Sequence, residues 1–263
     1  MSDIEFKGQT VFVAGGSSGI NLGIARAFAR AGAKVAIASR SQVRVDGAVA
    51  ELKSYGGPVL GFSADVRDPL AIAQALQQTH MAWGDIDVLI SGAAGNFVAP
   101  ALGMSANGFR TVVDIDLNGT FHVLRAAHEF LRKPGASIIN ISAPQAVNPT
   151  MFQSHVCAAK AGIDMLTRVL AMEWGPDGVR VNGIAPGPIA DTEGIRRLAP
   201  TPEDIARMTS SIPLGRMGTT EEIADMAMFL SSARAQYVTG AVIPVDGGSA
   251  LSGGRNLGGA LNN

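Results

Sequence analysis

The sequence contains a single cysteine, Cys157, among its 263 residues. This count excludes an intramolecular disulfide framework, and no cluster of ligand-type residues around Cys157 predicts a metal site. The chain therefore fits a reducing compartment. We predict no bound metal.

Charge is also scarce. Charged residues make up 16% of the chain, and the formal net charge is −1. A surface that attracts nucleic acid or a membrane through long-range electrostatics is not expected from this balance. We expect a small-molecule substrate, with neither nucleic acid nor membrane as a partner.

Long apolar runs and composition breaks are absent as well. No run reaches the length of a transmembrane helix, the first residues MSDIEFKG have no apolar signal core, and the last residues LNN are not a peroxisomal address. We therefore expect a cytoplasmic protein. No linker divides the chain, so we interpret residues 1–263 as a single domain.

What the chain does contain is a regular series of short apolar runs. Helix-length periodic segments separate these runs, which predicts an α/β fold, a doubly wound parallel sheet of the Rossmann type with helices on both faces. Ligands bind such sheets at the carboxyl ends of the strands. The predicted strands cover residues 10–13, 34–39, 59–64, 87–92, 137–142, 180–185 and 241–246.

The first of these runs ends in a glycine-rich turn, AGGSSGINLG, at residues 14–23, before an amphipathic segment over 23–31. Such glycines let the backbone approach a pyrophosphate, and the following helix N-terminus favours its charge. A glycine-rich turn alone often only reverses the chain, but its place between a strand and a helix predicts dinucleotide binding. The predicted contacts are Gly15, Ser17, Ser18, Gly19 and Ile20.

Ser39 and Arg40 follow the second run, where an acidic residue would bind the ribose of NAD. A serine and an arginine at this place would instead accept the extra phosphate of NADP, although such an arginine can also be a solvated surface residue. We predict NADPH as the cofactor.

Other cofactor contacts are predicted where later runs end. Asp65-Val66 can touch an adenine edge or simply start a helix, and the small residues of SGAAGNF can pass close to a ligand or form a plain turn. The stretch IAPGPIADTEG, residues 184–194, has prolines and a glycine suited to holding a flat ring against the sheet edge. The remaining predicted contacts are Asp65, Val66, Gly92, Ala93, Ala94, Pro186, Gly187 and Ile189.

Two helical segments carry the candidate reactive residues. In the segment over 109–132, Asp116 interrupts an otherwise apolar face, and buried carboxylates are costly unless paired or used. In the helix over 154–174, Lys160 lies among apolar residues on the same side as Val156. A lysine in such a helix is often only a surface residue with a buried stem, so its meaning depends on its neighbours.

The stretch from Asp191 to about Thr220 becomes polar and proline-rich. This composition fits a mobile lid over a substrate pocket, or an ordinary surface loop with one short helix. The glycine-rich end over 251–263 is expected to be poorly ordered unless a neighbouring subunit holds it.

Taken together, these residues resemble the short-chain dehydrogenase/reductase family over nearly the whole chain. The glycine turn, Asp65-Val66, SGAAG, Lys160 and Pro186-Gly187 stand in the family's order and spacing. The resemblance implies a homotetramer and a Tyr-x-x-x-Lys motif assisted by a serine and an asparagine. In the family the tyrosine exchanges a proton with the substrate oxygen, while the lysine binds the nicotinamide ribose and makes the tyrosine more acidic.

The chain departs from this pattern where the chemistry occurs. Val156 stands at the tyrosine position, Ala143 at the serine position and Asp116 at the asparagine position. Valine cannot transfer a proton, so a simple alcohol dehydrogenase or ketoreductase is not expected. Asn21 replaces the third glycine of the turn, and because asparagine tolerates unusual backbone angles we expect a locally changed turn that still binds the cofactor.

A narrower resemblance accounts for these departures. AAGNF, VVDIDLNGTF, AMEWGPDGVRVNGIAPGPIADTEGIRRL and YVTGAVIPVDGG resemble the 2,4-dienoyl-CoA reductases, most closely the peroxisomal type, which lacks the tyrosine. This implies NADPH-dependent reduction of 2,4-dienoyl-CoA to 3-enoyl-CoA in unsaturated fatty acid degradation, without flavin or metal. The alternatives are an oxidoreductase for another acyl-CoA and a catalytically silent dinucleotide-binding sensor.

The resemblance also implies roles for individual residues. Asp116 would supply the proton directly or through water, Lys160 would hold the ribose, and Asn118 would help to bind the thioester. A carboxyl that donates a proton near neutral pH needs an apolar pocket, and a lysine close by opposes this, so the balance stays open. Gln145, at the place of the mitochondrial-type tyrosine, and His155 can simply face solvent.

Overall fold

The computed structural model describes residues 6–251, and its central element is a parallel sheet with the order β3-β2-β1-β4-β5-β6-β7. All seven predicted apolar runs form strands, so the prediction of a doubly wound parallel sheet is confirmed. The strands are β1 (Thr10–Ala14), β2 (Lys34–Ser39), β3 (Val59–Ser63), β4 (Val88–Ser91), β5 (Ser137–Ile141), β6 (Arg180–Pro186) and β7 (Val242–Val245).

Helices connect the strands and cover both faces of the sheet. A π-helical turn, Asp114–Asn118, lies between the fourth and fifth helices. The α-helices are α1 (Gly19–Arg30), α2 (Gln42–Lys53), α3 (Pro69–Trp83), α4 (Ala106–Val113), α5 (Gly119–Ala127), α6 (Ser154–Trp174), α7 (Glu193–Leu198), α8 (Pro202–Ser210) and α9 (Thr220–Ser231).

The core consists of two apolar layers, one on each side of the sheet. Alternate residues of a strand point to opposite faces, so Val11 packs with α1, α2 and α9, whereas Phe12 packs with α3, α5 and α6. Strands β1, β4 and β5 are buried along their whole length, as expected for a parallel sheet covered on both faces.

The winding of the chain reverses next to β1. This strand pairs with β2 on one side and with β4 on the other, so the chain moves outward to β3 and then returns across β1. A crevice forms at the carboxyl ends of β1 and β4, where the connections leave in opposite directions. Gly15 and Gly92, which directly follow these two strands, therefore lie at this crevice.

The predicted helix over 109–132 is wrong in its bounds and in its continuity. It begins earlier because the Ser105 side chain accepts a hydrogen bond from Gly108 N and caps α4. It is then interrupted by the π turn, and α5 ends at Ala127. The π turn was not predicted, because the apolar residues on both sides of it were interpreted as one continuous helix and π turns are rare.

The segment over 191–220 contains two short helices, α7 and α8, rather than one. Its ends are joined, because Ile189 and Gly218 form a parallel bridge and Ala190 N donates to Gly218 O. Of the glycine-rich end, only Leu251 belongs to the described residues. Within residues 6–251, none of the helices combines the length and the apolar character needed to cross a membrane.

Helix α9 starts from a capping box at the end of this segment. The Thr219 side chain accepts from Glu222 N, and Glu222 in turn accepts from Thr219 N at 2.9 Å and from Arg216 Nη2 at 2.6 Å. The Arg216 hydrogen bond, followed by the Thr219 N–H, lowers the pKa of Glu222 to about 2 from its ordinary 4.5.

The Glu222 contacts predict an acid-dependent contribution to stability. Since the folded-state pKa lies below the unfolded value, ionised Glu222 stabilises the fold above pH 4.5 and this contribution is lost as the pH falls toward about 2. We expect Glu222→Gln to lower the urea midpoint at neutral pH and to flatten its decline between pH 4.5 and about 3. Glu203→Gln, which removes an exposed carboxylate from the first turn of α8 without the Arg216 contact, should keep that decline. Equal curves for both variants would contradict the assignment.

Candidate active site

The glycine turn after β1 makes a close contact with the loop after β4. Gly15 and Gly19 have φ values of +80° and +55°, in the left-handed region that favours glycine. A Cβ on Gly15 would lie 2.9 Å from Ala93 N, whereas one on Gly19 would meet no atom within 4 Å. The turn is therefore tight on its inner side and open on its outer side.

Helix α1 begins with free backbone donors. Its N-cap residue, Ser18, makes no side-chain capping bond in the structure, and its first turn holds no acidic residue. Helices α2 and α3, by contrast, are capped by the side chains of Ser41 and Asp68. The uncapped N–H groups at Gly19 and Ile20 fit the pyrophosphate of a dinucleotide, beside the buried Ser17.

Asn21 serves a different purpose from the one expected. It lies inside α1 and is not among the residues with positive φ, so the prediction of an unusual backbone angle is wrong. Its buried side chain instead donates from Nδ2 to Gly92 O at 2.7 Å. The amide ties the glycine turn to the end of β4, which a glycine at this position could not do.

At the end of β2, Ser39 is half-buried and Arg40 is exposed. The Arg40 carbonyl accepts from Ser63 Oγ, which fixes the backbone there. Arg67 binds the Asp65 carboxylate at 2.6 Å, and this hydrogen bond lowers the pKa of Asp65, with a smaller contribution from the charge of Arg40. Sequence reasoning missed Arg67, which brings a second guanidinium, besides that of Arg40, close to Asp65, the residue expected to contact adenine.

The other predicted cofactor residues lie at the same edge of the sheet. The loop after β4 contains half-buried Gly92 and Ala93 and exposed Ala94. Pro186 ends β6, and Gly187 N donates to Val245 O at 3.0 Å. Three of these predicted residues are buried: Pro186, Val66, against which Gly119 packs, and Ile189, in the core beside α9.

Asp116 and Lys160 form a buried pair at the carboxyl end of the sheet. Asp116 Oδ2 lies 3.4 Å from Lys160 Nζ, and the two side chains are 0% and 7% exposed. Gly95 N donates to Asp116 Oδ1 at 2.7 Å, while Lys160 Nζ donates to Ile141 O at 3.1 Å. Within residues 6–251, Asp116 Oδ2 has no hydrogen bond of normal geometry, which leaves it available to a ligand or a water.

At the positions of the family's tyrosine and serine this chain has no hydroxyl. Val156 is buried one turn before Lys160, and Ala143 follows β5 without a side-chain oxygen. The neighbouring Ser142 donates its hydroxyl to Asp164, a buried carboxyl whose pKa is raised by desolvation. The Ser142 hydroxyl is therefore already engaged.

Asn118 is not brought to the pair, although it is only two residues from Asp116. Its side chain is exposed and donates from Nδ2 to Asp114 Oδ1 at 2.8 Å. Asp114 in turn lies close enough for its charge to raise the pKa of Arg67. The geometry thus separates Asn118 from the two residues with which it was grouped.

A chain of amide side chains runs beside the site. Gln145 Nε2 donates to Gln153 Oε1 at 3.1 Å, Gln153 Nε2 donates to Asn96 Oδ1 at 2.8 Å, and Asn96 O accepts from Arg197 Nη1 at 3.4 Å. This amide chain links the loop after β5, the start of α6, the loop after β4 and α7.

His155 does not face solvent, so the suggestion that it could do so is wrong. Its side chain is 0% exposed, because it lies at the inner side of α6 with its ring 4.2 Å from that of Phe97. Burial lowers the pKa of His155, while a hydrogen bond to the Phe97 backbone and the negative charge of Asp116 oppose this shift. The ring is therefore neutral near pH 7.

Two further features of residues 6–251 concern a metal site and a cavity away from the Asp116–Lys160 pair. No group of three or more His, Cys, Asp or Glu side chains is placed to hold a metal ion. A cavity of about 510 Å³ lined by Asp87, Arg132 and Arg180 lies at the amino-terminal edge of the sheet, opposite the site.

The comparisons with known proteins agree with this geometry. A family model described as enoyl-(acyl carrier protein) reductase matches residues 14–250. A protein of Pongo abelii named peroxisomal 2,4-dienoyl-CoA reductase, (3E)-enoyl-CoA-producing, is 46% identical over 246 residues, covering 93% of this chain and 84% of the relative. A protein of Bacillus subtilis (strain 168) named probable 2,4-dienoyl-CoA reductase, (2E)-enoyl-CoA-producing, is 40% identical, covering 93% and 97%.

Among solved structures, a short chain dehydrogenase from Bacillus anthracis str. 'Ames Ancestor' superimposes with a TM-score of 0.83. It is 39% identical in sequence, and the match covers 92% of this chain and 96% of that one.

The contact between Asn21 and Gly92 predicts a compensating pair of substitutions. A Cβ on Gly92 would overlap the buried Asn21 amide, so Gly92→Ala should lower the melting temperature clearly. In the background of Asn21→Gly the space is free, and Gly92→Ala should then cost much less. A thermal-unfolding double-mutant cycle measures this coupling, which we expect to exceed about 1 kcal/mol. Additive effects of the two substitutions would contradict it.

Proposed function

This chain belongs to the short-chain dehydrogenase/reductase family, and we propose that it reduces 2,4-dienoyl-CoA to 3-enoyl-CoA with NADPH in the degradation of unsaturated fatty acids. The observation that carries the proposal is the buried pair of Asp116 and Lys160 beside Val156 and Ala143. This arrangement lacks a group that protonates an alcohol oxygen but retains buried charge at the end of the sheet. Relatives at 40–46% identity with dienoyl-CoA reductase names support the same substrate class.

The residues at the crevice fit a nicotinamide dinucleotide. The uncapped start of α1 and the open side of Gly19 fit its pyrophosphate, and Lys160 would hold the nicotinamide ribose. The preference for NADPH is supported by Ser39 and Arg40, with Arg67 close by. When bound, this cofactor supplies the hydride.

The reaction adds two hydrogens and removes one carbon–carbon double bond. Hydride adds to the far carbon of the diene, negative charge moves to the thioester oxygen, and a proton joins the carbon next to the thioester. Asp116 would supply this proton directly or orient a water that does so. The water route is supported by Asp116 Oδ2, which lies 3.4 Å from Lys160 Nζ and, among residues 6–251, has no hydrogen bond of normal geometry, so that it can accept one from a water.

The same pair argues against one of the two alternatives, the silent sensor. A silent dinucleotide sensor would have no use for a buried ion pair at the end of the sheet, because burying two charges has a cost in stability. An oxidoreductase for another acyl-CoA would use the same pair, so only the substrate distinguishes it from the proposed enzyme.

We further propose that one domain spans the chain, with residues 191–220 as a lid over the acyl-CoA. The joined ends of this segment and the contact of Arg197 with Asn96 support the lid. A homotetramer is supported by exposed apolar side chains on α5 and α6, namely Phe121, Met165 and Met172, and light scattering would give its mass. The cytoplasmic location stays a prediction. Several relatives are instead named peroxisomal.

The first experiment follows NADPH absorbance with a medium-chain 2,4-dienoyl-CoA and with a 3-ketoacyl-CoA. We expect oxidation with the dienoyl substrate only, and a loss in kcat of roughly 10²–10⁴-fold for Asp116→Ala and for Lys160→Ala. The matched control is Asn118→Ala, which removes an exposed amide near Asp116 and should leave the rate within about threefold. NADPH binding without oxidation of either substrate would contradict the proposal and favour another acyl-CoA or the sensor.

The cofactor preference is tested by Arg40→Ala. Loss of a charge-assisted bond to the ribose phosphate should weaken NADPH binding roughly 10- to 100-fold and leave NADH binding nearly unchanged. Arg234→Ala, which removes one exposed positive charge at the other edge of the sheet, controls for overall charge. Equal losses for NADPH and NADH would show that Arg40 does not select the cofactor.

A further inference from the structure

Phe152, in the loop before α6, has a backbone conformation that its side chain disfavours. Its φ is +65°, in the left-handed region, and among residues 6–251 the other residue besides glycine with a positive φ is Asp191. Aspartate tolerates this region, whereas a bulky aromatic residue there is a conformational outlier. A glycine would make the same turn without the steric cost. The phenyl ring is therefore present although the turn does not need it.

Burial of the ring does not offset this cost, because Phe152 is 51% exposed. The turn brings the Phe152 carbonyl to Ala99 N, which donates to it at 3.0 Å. That hydrogen bond involves the backbone alone, so it accounts for the turn and not for the ring. Backbone outliers of this kind cluster at active sites and ligand clamps, which makes the ring a candidate ligand contact.

Phe152 lies at the border of the Asp116 site. The next residue, Gln153, donates from Nε2 to Asn96 Oδ1 at 2.8 Å. Asn96 follows Gly95, whose N–H donates to Asp116 Oδ1 at 2.7 Å. Two hydrogen bonds therefore connect the segment that carries the ring to the carboxylate at which we place the proton transfer.

The residues next to the ring are also apolar and exposed. Val98 and Met151, which adjoin the bonded residues Ala99 and Phe152 in the chain, are 57% and 81% exposed. We call Val98, Met151 and Phe152 the apolar rim. Adjacent exposed apolar side chains beside a site indicate a surface that an apolar ligand covers.

Other borders of the site carry charge. After β3, Arg67 pairs with Asp65 at 2.6 Å. On α7, Glu193 pairs with Arg196 at 3.3 Å and with Arg197 at 3.0 Å. A hydrocarbon chain that covers such pairs desolvates polar groups, whereas against the apolar rim it only leaves water, which is favourable. The apolar rim is thus the border that suits a hydrocarbon chain.

We infer that Phe152 contacts the acyl chain of the dienoyl-CoA beyond its diene and, with Val98 and Met151, sets a preference for longer chains. The inference rests on the proposed function, since it concerns the substrate of the same site. The reacting carbons lie between the hydride donor and Asp116, so the rest of the acyl chain leaves the site across its border. Phe152 takes no part in proton or hydride transfer.

The test compares 2,4-decadienoyl-CoA with the shorter 2,4-hexadienoyl-CoA in the NADPH-oxidation assay. We expect Phe152→Gly to lower kcat/KM roughly 10-fold for the longer substrate, mainly through KM, and less than about threefold for the shorter one. Phe152→Asn, a polar residue that also tolerates a positive φ, should give the same selective loss. Phe152→Leu keeps an apolar side chain and should retain most of the preference. The matched control is Met81→Ala, which removes an exposed apolar side chain from α3 and should change neither value.

The melting temperature separates this role from a structural one. Because glycine relieves the left-handed conformation, Phe152→Gly should melt no lower than the wild type. If the ring served only to hold the loop, the variant would melt lower and lose activity equally with both substrates, which would overturn the inference.

The remaining outcomes distinguish the inference from the proposed function. A wild-type protein that binds NADPH but oxidises it with neither dienoyl-CoA overturns both. An active wild type whose Phe152→Gly variant keeps the same ratio of kcat/KM for the two substrates overturns the inference alone. So does a change of mass in light scattering without a change in that ratio, which would assign the ring to a contact between subunits. If Phe152→Gly does not fold, Phe152→Asn takes its place in the test.

Discussion

The ion pair between Asp116 and Lys160 is the interaction on which the site depends. Taking two charges out of water is costly unless further hydrogen bonds satisfy them. Here Gly95 N donates a hydrogen bond to the Asp116 carboxylate, and the Lys160 ammonium donates one to Ile141 O. The pair therefore connects the loop after β4, the end of β5, the π turn and α6. Four segments that are distant in sequence are held in register by two side chains.

The residues around this pair change the chemistry that the fold supports. A tyrosine beside the lysine would exchange a proton with a substrate oxygen, but Val156 offers only an apolar contact. The hydroxyl of the neighbouring Ser142 donates to Asp164. Charge that develops on a substrate can therefore be stabilised only by hydrogen bonds and by the field of the pair, which suits a reaction whose new bonds to hydrogen are formed at carbon.

The sequence predicts the sheet well because each strand is a short buried run bounded by turns, and burial on both faces leaves a clear apolar signal. The meeting of Asp116 with Lys160 was also predictable, since both follow a family pattern. The π turn was not, because π turns are rare and the apolar residues on both sides of it were interpreted as one continuous helix. Nor was the burial of His155, which depends on Phe97 from a loop 58 positions earlier, or the bond of Asn21 to Gly92. Contacts between loops leave no periodic trace.

The amide chain of Gln145, Gln153 and Asn96 has one more consequence. Amides donate and accept hydrogen bonds, but they do not gain or lose protons in the range where proteins work. The amide chain can therefore fix the positions of the segments that it joins, but its side chains do not relay protons. The segments that the amide chain joins are thus held in place without adding a titratable group to that side of the site.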